Sequence, residues 1–160
     1  MYKLLLVLVL PLLLASCATT ANFDTSQVDR KITPASAIEK PQLSTGKKVI
    51  WGGTILDTQN LKNKTQIEVL AYPLNASHRP LQENKPLGRF IIHQTGYLEA
   101  NNYAPGRQLS VLGNIIHFQK GKVGESSYSY PLIQAEQLYL WPPLSKKSKT
   151  SFHFGIGIGL

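Results

Sequence analysis

Val49-Ile50-Trp51-Gly52-Gly53-Thr54-Ile55-Leu56 decides the fold. Six of these eight residues are β-branched, aromatic or aliphatic, as a half-buried pleated strand requires. The central glycine pair marks a bulge or a tight bend. Downstream, Thr65-Gln66-Ile67-Glu68-Val69-Leu70-Ala71-Tyr72 places Ile67, Val69 and Ala71 on one face, the period of a second strand that Pro73 ends. Asn60 to Lys64 reads as a turn and Asn75 to Pro86 as a long polar loop. Gly88 to His93 reads as a third strand and Arg107 to Ile116 as a fourth. Gly121 to Gly124 reads as a turn and Tyr128 to Ile133 as a fifth strand. Gln137 to Trp141 extends that strand or forms a sixth, and Pro131 argues for an edge or bulge. The chain is therefore expected to be mainly β. Residues 32–142 should form a small, closed or nearly closed antiparallel barrel, nearest in type to the OB-fold, with a sandwich as the alternative.

Ahead of the strands, Thr33-Pro34-Ala35-Ser36-Ala37-Ile38-Glu39-Lys40-Pro41 predicts one short helix. Thr33 caps it, Pro34 suits its first position and Pro41 stops it. Residues 17–31 carry no hydrophobic period; Ala18 to Asp29 is polar and rich in small residues and reads as a tether.

The first residues have a different logic. Met1-Tyr2-Lys3 is followed by the apolar run Leu4 to Ala15. A membrane-crossing helix takes roughly 17–25 apolar residues, so this run is too short to span. It has the length of the hydrophobic region of a secretory signal peptide covering residues 1–16. Leu14-Ala15-Ser16-Cys17 resembles the lipobox of bacterial lipoproteins, with cleavage between Ser16 and Cys17. Small residues fit the protease cleft, and the Cys17 thiol takes a diacylglyceryl group as a thioether. A third acyl chain such as palmitate then goes onto the freed amine. Cys17 is the only cysteine, so a disulfide within one chain is impossible. Each buried methylene contributes about 0.8 kcal/mol, and two or more chains hold stably. Lipidated Cys17 would thus anchor the chain without other contacts. Ala18, where an aspartate would signal inner-membrane retention, reads as an outer-membrane address.

The chain has 17 Lys and Arg against 9 Asp and Glu, a formal charge of +8. On an anchored protein the partner for such charge is anionic lipid, to which each nearby cation contributes about 1 kcal/mol. Export makes nucleic acid an unsuitable partner. Residues 143–160 form a basic, glycine-rich tail. Lys146, Lys147 and Lys149 precede Phe152, Phe154, Ile156, Ile158 and Leu160, which alternate with His153 and three glycines. That pattern suits a terminus without fixed order, an added edge strand, or a strand dipping into lipid.

Several stretches, in order, resemble the Slp family of Gram-negative outer-membrane lipoproteins, named for a starvation-inducible member. They are Gly46-Lys47-Lys48-Val49-Ile50-Trp51-Gly52-Gly53, Gly88-Arg89-Phe90-Ile91, Gly96-Tyr97-Leu98-Glu99 and Tyr103-Ala104-Pro105-Gly106-Arg107. Gly121-Lys122-Val123-Gly124-Glu125, Tyr128-Ser129-Tyr130-Pro131 and Leu140-Trp141 follow, and the Thr33 to Pro41 helix precedes them. The sequence departs at Ala100, where the family is expected to carry proline, and in the tail. The resemblance implies a lipid-anchored protein on the periplasmic face of the outer membrane, with a non-enzymatic structural or starvation-linked role. It implies no cofactor.

The residues themselves carry no enzyme constellation. His78, His93, His117 and His153 lack zinc spacing, and no metal site is expected. His93 and His117 fall on different predicted strands and could approach each other. The acids show no arrangement that places two carboxylates across a cleft, and no nucleophile elbow or phosphate-cradling loop is present. A hydrolase is the least supported reading. A binding module for an anionic envelope ligand, a glycan or lipopolysaccharide, is the alternative, with Arg89, Arg107 and Lys122 as its candidate residues. Gly121 to Glu125 is either its recognition loop or a plain hairpin turn. Trp51, Tyr97, Tyr103, Tyr128, Tyr130 and Trp141 either form a stacking platform or fill the core.

Overall fold

The computed structural model describes residues 21–143. The signal peptide 1–16, Ser16, Cys17, Ala18 and tail residues 144–160 lie outside the described residues. Elements are α1 (Pro34–Glu39), α2 (Pro41–Ser44), β1 (Lys48–Asn60), β2 (Lys64–Ala71), β3 (Arg89–Thr95), β4 (Gln108–Val123) and β5 (Ser126–Leu140). The strands close into a barrel in the order β1-β2-β3-β5-β4, the OB-type connectivity anticipated above, and the sandwich is excluded. One pairing is not antiparallel: Ile91, Ile92 and His93 of β3 run parallel to Leu132, Ile133 and Gln134 of β5 and close the sheet.

The glycine pair of the opening stretch sits where β1 changes partner. Lys48 to Thr54 pairs with β4, and Gly53 to Asn60 pairs with β2. A Cβ on Gly53 would overlap the Leu70 carbonyl, and one on Gly113 would overlap that of Gln134. These strands cross at a separation that only glycine permits. The register slip in β1 falls just beyond, between Ile55 and Asp57.

β2 alternates as expected, with Thr65, Ile67, Val69 and Ala71 inward. They meet Val49, Trp51 and Ile55 of β1, Phe90 and Ile92 of β3, Leu109, Val111 and Ile115 of β4, and Ile133 of β5. Phe90 stands edge-on to Trp51 at 5.2 Å between centroids. The interior is thus a packed core, not a channel. α1 lies against β3 and β5, with Pro34 and Ala37 buried. Thr33 caps it, its hydroxyl accepting from the Ser36 N–H while Ser36 Oγ accepts from the Thr33 N–H. Pro41 ends α1 but also opens α2, so the single expected helix is two.

Two further expectations change. Gly121 is not in a turn: it pairs with Tyr128 inside the β4–β5 hairpin. The turn is Gly124-Glu125, with Gly124 at φ +58, as a tight hairpin turn with glycine first requires. Gln137 to Leu140 continues β5, so there is no sixth strand. Pro131 pairs with Phe118 beside the slip between Ile115 and His117, and the parallel partnership with β3 begins only at Leu132. The proline's missing N–H therefore leaves no ladder bond to β3 unmade. Finally, the described part of the tether lies against the barrel. Ala21 is buried, the Phe23 ring meets His78 edge-on at 5.8 Å, and the Asp29 N–H donates to the Lys48 carbonyl at 2.9 Å. Among the described residues no helix is long and apolar enough to cross a membrane.

Candidate functional site

Arg89 opens β3, and antiparallel pairing sets it beside Leu70, two residues from Glu68 and on the same face of β2. Its Nη1 donates to Glu68 Oε1 at 2.9 Å. Tyr130 of β5 adds its hydroxyl to the same carboxylate at 3.3 Å and to the Lys122 carbonyl at 3.0 Å. The Tyr128 hydroxyl accepts from the Arg89 N–H at 2.9 Å. Arg89 therefore shares one outer face with Tyr128 and Tyr130, over a small apolar cluster of Ile91, Tyr130 and Leu132. Lys122 joins them only through its carbonyl: it pairs with Ser127, and Gly121 takes the face toward the Tyr130 ring. The guanidinium is held charged, first by its hydrogen bond to Glu68 and against some desolvation. Burial, then the Glu68 charge, pushes the Tyr130 phenol up.

Arg107 is not part of this group. It precedes β4 at the end opposite Lys122, where it donates to the Asn102 and Trp141 carbonyls at 3.0 and 3.1 Å. Three of the candidate aromatics are buried: Trp51, Tyr130 and Trp141. Tyr103 packs on the core, and Tyr97 is exposed. Trp51 and Tyr103 thus belong to the barrel core and Tyr128 and Tyr130 to the outer cluster, so the rings form no single platform.

His93 and His117 sit on opposite sides of β5. His93 faces Gln134, whereas His117 faces Leu132 and is exposed. The His93 ring is buried on the β2–β3 face. Its Nδ1 lies 3.1 Å from Lys64 Nζ and its Nε2 3.2 Å from Gln66 Oε1. A lysine ammonium can only donate, so Nδ1 accepts and Nε2–H donates. Desolvation and the Lys64 charge depress the His93 pKa, and the ring is neutral. Among the described residues no three His, Cys, Asp or Glu are grouped to hold a metal.

The polar loop held a structured element that its composition did not signal. Asn75 Oδ1 accepts from the Ser77 and Arg79 N–H groups at 2.9 Å each. The His78 N–H donates to the Asn75 carbonyl, and His78 takes φ +63, the one non-glycine residue with positive φ among those described. Arg79 lies over the Trp141 ring at 5.4 Å and donates to Gln108 Oε1 and the Pro142 carbonyl. A loop of this length is a hint of function, but nothing in it pointed to His78.

The sequence pattern of the outer membrane lipoprotein Slp family matches residues 14–156. A protein of Haemophilus influenzae is 38% identical over 96 residues, covering 59% of this chain and 52% of its own length. The lipoprotein YeaY of Escherichia coli is 29% identical over 101 residues, 63% of this chain and 52% of its own. The outer membrane protein Slp of E. coli is 27% identical over 143 residues, 88% of this chain and 76% of its own. The chain thus spans about half the length of the first two relatives. No solved structure matches. The matched span takes in the barrel, both helices and the residues around Cys17, and on that ground the chain belongs to the outer membrane lipoprotein Slp family.

Proposed function

We propose that this chain is exported, cut between Ser16 and Cys17, and held at the periplasmic face of the outer membrane by lipid on Cys17. There its barrel serves a non-enzymatic structural role in the envelope under starvation or stress. The observation that carries the reading is the family match itself, which begins at residue 14 and so includes the lipobox cysteine. On the described surface Glu68, Arg89 and Tyr130 hydrogen-bond to one another, as members of a structural polar cluster do.

The test is fractionation of cells making the wild-type chain or Cys17→Ser. The wild type is expected in the outer-membrane fraction, and Cys17→Ser in the soluble fraction with its β-rich circular dichroism retained. A Cys17→Ser chain still held on membranes at high salt would show that something other than the thioether lipid anchors it.

A further inference from the structure

A cleft of about 310 Å³ opens between residues 30–34, β1 and the segment running from the end of β2 into the polar loop. Its size lies at the lower end of ligand sites. The inner wall is apolar, formed by Ile50, Trp51, Leu74 and Leu87, and no lining residue is acidic. The mouth carries Arg30 and His78. Arg30 donates to Thr25 Oγ1 at 2.8 Å and forms no ion pair among the described residues, whose two ion pairs are Lys48–Glu136 and Arg89–Glu68. The remaining guanidinium N–H groups are free to receive an anion. His78 Nδ1 is buried without a hydrogen-bond partner. Such a group in a native fold calls for an explanation, as does a positive φ outside glycine, which gathers at ligand clamps. Asn75 imposes that φ through the turn described above, and the Ser110 hydroxyl donates to the His78 carbonyl at 2.6 Å. The backbone that carries the imidazole is therefore held in place before any ligand arrives.

We propose that this cleft binds an anionic amphiphile, a carboxylate or phosphate head on a hydrocarbon chain, with the head at Arg30 and His78 and the chain along Ile50, Leu74 and Leu87. Bidentate donation by arginine suits either head. A neutral imidazole in its Nδ1–H tautomer donates to the same head once a turn of the ring brings the buried nitrogen to the cleft. The site stands apart from Arg89, Arg107 and Lys122, and it does not depend on how Cys17 is attached.

The experiment uses the full lipidated chain in phosphatidylcholine nanodiscs, with the fluorescence of Trp51 in the cleft wall as the readout. Hexyl phosphate and hexanoate should change it saturably, and inorganic phosphate and hexanamide should bind at least about tenfold more weakly. Arg30→Gln should weaken hexyl phosphate by about tenfold, the scale of one charge-assisted bond, and Lys48→Gln should leave it unchanged. Leu74→Ala should weaken hexyl phosphate but not inorganic phosphate, which covers the case of an Arg30 variant that does not fold. Dihexanoyl phosphatidic acid separates the sources: tighter binding than hexanoate marks a membrane lipid, and the reverse marks a free fatty acid. Equal affinity for hexanamide and hexanoate, or wild-type affinity in Arg30→Gln, would overturn the proposal.

Discussion

The Trp141 indole N–H donates to Ser110 Oγ at 2.9 Å. The same hydroxyl then donates to the backbone carbonyl of His78. One serine on β4 thus joins the chain just beyond β5 to the loop between β2 and β3. Both Ser110 and Trp141 are buried, so neither polar atom has water to fall back on. Ser110→Ala leaves the indole N–H without its acceptor and should cost about 1–3 kcal/mol. A lowered urea midpoint together with faster amide exchange in the 75–80 loop is the expected observation. An unchanged exchange rate there would separate the loop's order from this serine.

Stability should fall with acidification before the carboxylates titrate. Desolvation and the Lys64 charge lower the His93 pKa, and desolvation and Arg30 lower that of His78. The unfolded chain, with histidines near 6.5, therefore binds more protons than the folded one just below that pH. Their contribution is complete above about pH 6.5 and is lost as pH falls through the folded values. Urea midpoints measured from pH 7.5 to pH 5 should decline, and His93→Gln should flatten part of the slope. A slope identical in that variant would place the titration elsewhere.

The crossing at Gly53 makes a sharper prediction. Gly53→Ala drives a methyl into the Leu70 carbonyl, and backbone on both sides must move. A loss of about 3 kcal/mol or more is expected, beyond ordinary overpacking. Gly46 has open space around it but sits at φ +80. Gly46→Ala should cost only about 1–2 kcal/mol, the left-handed penalty. Thermal melts of the two variants should rank in that order.

Phe90 is fully buried against Trp51. Phe90→Ala should cost about 3–5 kcal/mol, visible as a loss of near-ultraviolet dichroism well below the wild-type melting temperature. Glu68→Gln, by contrast, removes a half-exposed ion pair with side-chain exposures of 26% and 32% and should cost under about 1 kcal/mol.

Local pattern revealed most of the barrel. The alternation of Ile67, Val69 and Ala71, the Gly52-Gly53 bend and the Thr33-Pro34 cap each have a short-range cause, and each sits where its chemistry requires. Strand ends were less legible, because the β4–β5 hairpin runs on past its predicted limits to Val123 and Ser126 on cross-strand pairing alone. Tyr130 is buried there in part by Ile91, from a strand far away in sequence. Arg107 and Lys122 are kept apart by the length of β4, and Arg107 and Arg89 by a strand order that no residue pattern states. His78 is the extreme case: its backbone angle, its unpartnered nitrogen and Arg30 beside the same cleft all arise from contacts across the fold.

Phe23 rests on His78, and Pro142 is held by Arg79. Segments from before the first strand and after the last thus meet two adjacent residues of one loop. The segment before β1 bears on that loop through a ring contact, and the segment after β5 through a hydrogen bond. In mechanical terms that loop is a clasp on which both flanking segments fasten, with the Ser110 hydroxyl as its pin.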